Sequence, residues 1–381
     1  MKILHCCLAN YYVDGYNYQE NVLTKQNKID GHDVYILAST RTLGANSSIG
    51  FTESREYINE DGITVQRIPY KKFIFSNKVN SFKNTYESIE KLAPDIILFH
   101  GINSIEILTL IKYKKENPNV KIYIDNHTWY GQAGYKTKLG RISRKTFHRI
   151  LFKPLLHKSL PYIEKILNVS IDCEDYLSDL YKIPKSKMDL YPLGGNVFDT
   201  AEYLERRRNI REELNIDDDV IVYLHSGRLT KYKKTSVLLD AFKLYSNKAA
   251  ILIIIGKISD DIHDSISEKI NMDKRVRYLG WKSANELQNF MCAADIYVQP
   301  GNQSASLQNA ICCRNAIVVA RYKSHELFLR NNGFYADSIE ELTNVFEHIS
   351  DNIELVNKMK EESYEIGLEY LDYRVLANRL Y

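Results

Sequence analysis

No apolar run in this chain approaches the roughly 20 residues that a membrane-spanning helix needs, so no integral membrane segment is expected. Cysteine is scarce and unpatterned. The six residues, Cys6-Cys7, Cys173, Cys292 and Cys312-Cys313, lack the short paired spacings of a zinc site or a disulfide scaffold. Buried, reduced thiols in a cytoplasmic protein are expected. An excess of one charge is missing too: 51 Lys+Arg against 48 Asp+Glu leave +3. That balance gives no reason to expect nucleic-acid binding, and any basic partner site has to be local. Met1-Lys2-Ile3-Leu4 meets polar Asn10 and Asp14 within a few residues, so the apolar core of a secretory signal is not expected. Internal repeats and low-complexity tracts are absent as well.

What is present is length and alternation. A chain of 381 residues exceeds what one hydrophobic core usually serves, which predicts two domains with a cleft between them. Short apolar runs at 2–8, 34–37, 63–68, 96–100, 121–124 and 166–169 read as strands, with helical spacing between most of them at 19–30, 81–92 and 105–114. Continuous apolar strands alternating with helices imply a parallel sheet covered on both faces. A second series follows Pro192-Leu193-Gly194-Gly195, with strands at 220–225, 250–255, 276–279, 296–299 and 317–320 and helices at 236–245, 284–293 and 306–313. The fold class is therefore α/β with two Rossmann-like domains. The expected boundaries are 1–191 and 192–364, with a final helix at about 365–381 packing back on the first domain. Such sheets bind ligands beyond the carboxyl ends of their strands.

The stretch Ser226-Gly227-Arg228-Leu229-Thr230-Lys231-Tyr232-Lys233-Lys234 lies between the first strand of the second domain and a helix. Gly227 lets the backbone approach a ligand, and Arg228 and Lys233 can stabilise an anion. On composition alone a solvated basic turn fits equally well. Downstream come Ile253-Ile254-Ile255-Gly256, Tyr278-Leu279-Gly280-Trp281, Glu286-Leu287 and Ala293-Ala294-Asp295 through Pro300. This order of segments resembles the C-terminal domain of family-4-type GT-B glycosyltransferases, the glycosyl transferases of group 1. The resemblance extends over nearly the whole chain: Val169-Ser170 and Tyr191 to Asn196 are similar to the interdomain crossover. Gly15 to Asn21 is similar to the family's first loop, and Gly31-His32-Asp33-Val34 to its second strand entry.

The resemblance implies a GT-B fold with two sheets facing across a cleft, the first domain binding the acceptor and the second a nucleotide sugar, UDP-linked by preference. It implies a retaining transferase in which the donor's own diphosphate assists its departure, stabilised by Arg228 and Lys233, with no metal and no cofactor. The acidic run Asp217-Asp218-Asp219 reads as a solvated turn rather than a metal site. His127, in Ile124-Asp125-Asn126-His127, follows a strand and matches a family histidine that faces the donor sugar; Asp125 is expected to orient that loop. The donor-binding set expected from the resemblance is Gly15, Gly227, Gly256, Gln303, Ser304, Ser306, Leu307, Gln308 and Asn309.

One departure stands out. The family carries two glutamates eight positions apart, whereas residues 299–316 contain no carboxylate at all. Alignment of the helix places Asn309 at the second glutamate, with Gln308 one register away, and leaves Gln303 as the long polar side chain near the first. Amides bind hydroxyls as donors or acceptors, and the backbone amides opening this helix form an anion site. A catalytically silent scaffold subunit and a GT-B sugar-nucleotide epimerase remain the alternatives.

The stretch from Lys136 to Lys158 carries Lys136, Lys138, Arg141, Arg144, Lys145, Arg149, Lys153 and Lys158, with no Asp or Glu between His127 and Pro161. Interleaved apolar residues make it either a basic amphipathic element resting on anionic lipid or an ordinary packed helix. The expected partners are a nucleotide sugar, a glycan or lipid-linked glycan acceptor in bacterial surface polysaccharide synthesis, and an anionic membrane at the inner face of the cell membrane.

Overall fold

Runs such as Ile96-Ile97-Leu98-Phe99 and Ile251-Leu252-Ile253-Ile254-Ile255 are apolar on both alternating faces, so each strand they form has to be covered on both sides. A computed structural model describes residues 1–43, 49–71, 80–130 and 138–381, apart from the side chains of 138–141 and 144. Lys136 lies outside the described residues, and the side chains of Lys138, Arg141 and Arg144 do too. The chain divides into one unit of Met1–Pro192 with Leu376–Tyr381 and a second of Leu193–Val375. Of the expected returning segment 365–381 only the last six residues join the first unit. Ile366 and Leu371 are buried in the core of the second and hold the preceding turns there.

The first unit contains β1 (Lys2–Cys7), α1 (Gln19–Ile29), β2 (Asp33–Ser39), β3 (Arg41–Leu43), β4 (Ile49–Phe51), β5 (Glu56–Ile58), β6 (Thr64–Ile68), α2 (Thr85–Leu92) and β7 (Ile96–His100). It continues with α3 (Ile107–Glu116), β8 (Lys121–Asn126), α4 (Lys138–Ser159), β9 (Ile166–Asn168), α5 (Ile171–Tyr176) and β10 (Met188–Leu190). The sheet order is β10-β9-β8-β7-β1-β2-β6-β5, parallel except for β5, which runs antiparallel to β6; β3 and β4 pair separately. Strand order reverses between β1 and β7, the crevice where open sheets of this kind take ligands.

The second unit contains α6 (Thr200–Glu213), β11 (Val222–Ser226), α7 (Thr235–Leu244), β12 (Ile251–Ile255), α8 (His263–Met272), β13 (Val276–Tyr278), α9 (Ala284–Ala293), β14 (Ile296–Gln299) and α10 (Ala305–Cys312). After these come β15 (Ala316–Val319), β16 (Gly333–Tyr335), α11 (Ile339–Ser350), α12 (Ile353–Ile366) and α13 (Tyr373–Asn378), which crosses into the first unit. All six strands are parallel in the order β13-β12-β11-β14-β15-β16, and the reversal falls between β11 and β14. Two apolar layers, one on each face, enclose this sheet.

At the amino end of β14 the buried Asp295 takes three cations: Arg207 at 2.8 Å and Arg211 at 3.5 Å from α6, and Lys360 at 3.0 Å from α12. It also accepts the Val222 amide at 3.0 Å. Four partners compensate the desolvation of one carboxylate, an arrangement that loses several kcal/mol when a single member is removed. Lower in the chain, Asp218 is fully exposed and the Asp217 carbonyl accepts from Arg211, so this run is a solvated turn. The six cysteines are buried and unpaired.

Candidate active site

The carboxyl ends of β11 and β14 bring together most of the expected donor-binding set of the second unit. Gly227 has φ +124°, and a Cβ there would stand 3.6 Å from both Lys233 Cε and Ser306 Oγ. Two further glycines make the loop possible. A Cβ on Gly256, at φ +139°, would fall 1.8 Å from the Gly227 carbonyl oxygen, and one on Gly301 would fall 2.2 Å from the Tyr232 carbonyl oxygen. The backbone from Gly227 to Lys233 is thus wedged between two chain segments that admit no side chain.

Lys233 is 7% exposed, and its Nζ has no hydrogen-bond partner. Burial pulls its ammonium down from 10.5 to about 8. A desolvated cation without a counter-ion is costly unless an anion arrives to pair it. Arg228 is exposed and has no ion-pair partner among the described residues, so its guanidinium is free to meet the same anion. Ser304 precedes α10 but does not cap it; its hydroxyl donates instead to Gln299 Oε1 at 2.8 Å. Ser304 and Ser306 also face the buried Tyr297 phenol, which lies 3.2 Å from Ser226 Oγ. The uncapped first turn of α10 beside a buried ammonium forms an anion cradle built of backbone amides and one charge.

The carboxylate-free helix is resolved residue by residue. Gln308 is fully buried; its Oε1 accepts the Gly194 amide at 2.8 Å, and its Nε2 has no partner. Asn309 is half-buried, donates to the Ala305 carbonyl at 3.0 Å and accepts from Gln288 Nε2 at 3.3 Å. Gln303 is half-buried without a side-chain hydrogen bond among the described residues, and the Leu307 side chain belongs to the core. Asn309 therefore keeps partial access to solvent, while Gln308 is tied to the Gly194 backbone.

In the first unit, Gly15 (φ +75°) lies in the loop after β1. Asp14 beside it is pinned by Arg67 at 3.0 Å and by the Tyr57 hydroxyl at 2.7 Å, so a buried guanidinium fixes the entry to α1. His127 follows β8 and is half-buried. Asn126 shapes its loop: Oδ1 accepts the Thr128 amide at 2.9 Å, while Nδ2 donates to Asn168 Oδ1 at 2.9 Å. His127 Nε2 is 3.4 Å from Asp125 Oδ2; against the burial that lowers it, Asp125 and Glu20 raise its pKa above the ordinary histidine value. Asp125 faces the His127 ring, and the loop that it was expected to orient is held by Asn126. His5, His100 and Glu20 were not singled out by sequence reasoning. His100 ends β7, one of the two strands that flank the switch point, and a histidine at a strand's carboxyl end is the same signal that marked His127. Among the described residues no three His, Cys, Asp or Glu side chains cluster as metal ligands would.

Residues 206–366 match the family model of Glycosyl transferases group 1. A lipopolysaccharide 1,2-N-acetylglucosaminetransferase of Salmonella typhimurium is 22% identical over 280 residues, covering 69% of this chain and 60% of that protein. Matches to the curated relatives span 36% to 60% of their length. Among solved structures, a glycosyltransferase from Rickettsia africae has a TM-score of 0.69 at 17% identity, covering 99% of this chain and 96% of that one. HepE from Anabaena, in complex with UDP, has 0.67 at 13% identity, covering 100% and 98%. The two Rossmann-like units are those of the GT-B fold, and residues 206–366, within the second unit, are similar to the Glycosyl transferases group 1 family.

Proposed function

We propose that this chain is a retaining, metal-independent glycosyltransferase that moves a hexosyl or N-acetylhexosaminyl group from a UDP-sugar to a glycan acceptor carried on a lipid, in bacterial surface polysaccharide synthesis. The observation that carries the reading is Lys233: a buried ammonium without a partner, set against Gly227 and the open first turn of α10. A diphosphate satisfies all three at once. As the bond between the anomeric carbon and the diphosphate oxygen breaks, charge grows on that oxygen, and Lys233 and Arg228 meet it. The acceptor hydroxyl forms the new bond on the same face, and its proton passes to the departing phosphate oxygen. His127, held by Asp125, hydrogen-bonds the donor sugar. The Salmonella relative, named for N-acetylglucosamine transfer to lipopolysaccharide, supports the substrate class, and the Anabaena complex supports a uridine nucleotide.

The membrane part of the reading rests on α4. Phe152, Leu155 and Leu156 are buried in the core of the first unit, while Ile142 and Ile150 are 63% and 72% exposed, and Arg149 and Lys158 on the same helix are exposed too. No described helix is long and apolar enough to cross a membrane. Incubation with a panel of nucleotide sugars tests the proposal through slow donor hydrolysis, with retention read from the product anomer. UDP binding without any turnover would identify a silent subunit; no nucleotide binding at all would remove the reading.

A further inference from the structure

Two histidines face Asp125 Oδ2 at the carboxyl end of the first sheet: His100 Nδ1 at 2.5 Å and His127 Nε2 at 3.4 Å. His100 continues inward. Its Nε2 lies 3.0 Å from His5 Nδ1, and His5 Nε2 lies 2.8 Å from Asn27 Oδ1. Asn27 Nδ2 donates to the Tyr381 hydroxyl at 2.7 Å, and that hydroxyl donates to Asp30 Oδ2 at 2.7 Å. His5, Asn27, His100 and Asp125 are all buried, and the whole chain of bonds belongs to the first unit.

The direction of every bond follows from its two ends. An ionised carboxylate only accepts. Asp30 takes the single phenol proton of Tyr381, so the phenol oxygen accepts from Asn27. The amide then presents its nitrogen to Tyr381 and its oxygen to His5. His5 Nε2 has to donate to that oxygen. Burial, reinforced by His100, pulls His5 down to about 3, so its ring carries one proton and its Nδ1 accepts. His100 Nε2 therefore donates to His5. At the other end Asp125, held below the ordinary carboxylate range by His100 and His127 in opposition to its burial, accepts from His100 Nδ1. A line of hydrogen bonds with an acceptor at each end requires one group that donates both ways.

We infer that His100 is that group: a positioning residue that donates from both ring nitrogens, neutralises Asp125, and leaves His127 able to gain and lose its proton. The ionisable groups acting on His127 are Asp125 from β8 and Glu20 from α1; those acting on Asp125 include His100 from β7 and His127. With His100 doubly protonated, the Asp125 charge orients His127 without locking it in the protonated form. The catalytic consequence rests on the proposed donor-facing role of His127; the proton pattern does not.

The test is nitrogen-15 NMR of the histidine rings in the full chain, without donor or acceptor. Wild type is expected to show protons on both ring nitrogens of His100 at pH 7. His100→Gln donates from one end only and removes a positive charge close to Asp125. The His127 midpoint is then expected to rise by roughly one pH unit or more. His5→Gln still accepts from His100 and donates to Asn27, so it is expected to leave that midpoint nearly in place. A singly protonated His100 ring at pH 7, or an unmoved His127 midpoint in His100→Gln, overturns the inference; if the variants do not fold, the wild-type spectrum decides it. Because no substrate is present, a lack of transferase activity would refute the proposed function and leave this result to the ring protons.

Discussion

Lys233 offers a measurement in which stability reports on a binding site. Its ammonium has no partner in the folded chain and is pulled from 10.5 to about 8 by burial. At 1.36 kcal/mol per pH unit that interval corresponds to ~3 kcal/mol carried as a cost at pH 7. The folded state releases the proton near pH 8 and the unfolded state near 10.5, so between these values the unfolded chain holds more protons and stability rises with pH. Lys233→Met removes the charge, keeps the stem and breaks no hydrogen bond. It is expected to stabilise the second unit by ~3 kcal/mol at pH 7, an advantage that falls to under half by about pH 9.5. Urea unfolding of both proteins across that range reads the difference directly. UDP, whose diphosphate is proposed to pair the ammonium, is expected to raise the unfolding midpoint of wild type at pH 7 and to do much less for the variant. Equal stability at pH 7, or a difference that does not change with pH, would refute the reasoning.

Arg228→Ala, at an exposed side chain without an ion pair among the described residues, is expected to leave unfolding unchanged and to lower donor turnover about 100-fold, read by single-turnover kinetics. Gly256→Ala is expected to destabilise by roughly 3 kcal/mol or more, because its Cβ would fall 1.8 Å from the Gly227 carbonyl oxygen; Gly280→Ala, which meets nothing within 4 Å, carries only the strain of its positive φ, about 1 kcal/mol. Equal losses in the two would remove the close-approach explanation. Chelators are expected to leave turnover unchanged, and an absolute need for added magnesium or manganese would contradict the cationic diphosphate site. Wild type is expected to sediment with anionic vesicles at low salt, each basic residue contributing about 1 kcal/mol, and charge reversal of Lys145, Arg149 and Lys158 to release it. Unchanged binding would leave α4 a packed basic helix.

The long apolar strands were legible because their residues are buried on both faces: 96–100 and 296–299 fall as expected, and the others differ by one or two residues at their ends. The hairpin of β3 and β4 and the antiparallel β5 escaped notice because three residues set no period. In the second unit Gly227, Lys233 and Ser306 come together as the order of motifs suggested, since a strand end and the next helix start are fixed by the sheet itself. The backbone contact of Gly301 with Tyr232 depends on how two loops cross and left no mark in the sequence. The bonds from Asp125 to Tyr381 were hidden for a related reason. His5 and His100 are separated by 95 positions and meet only because β1 pairs with β7, while the register of β7 on β8 sets His100 opposite Asp125.

The ionic cluster around Asp295 has a consequence for the order in which the second unit is made. Its members, Arg207, Arg211, Asp295 and Lys360, are spread over most of that unit, and β11 is bound into the same cluster through the Val222 amide. On a ribosome, Asp295 emerges after both arginines but well before Lys360. A half-made unit therefore holds a carboxylate and two guanidiniums with one cation still to come, together with a parallel sheet whose pairings are all distant in sequence. Such a unit is expected to fold late and all at once, and a product truncated before α12 should accumulate as aggregate rather than as a smaller folded domain.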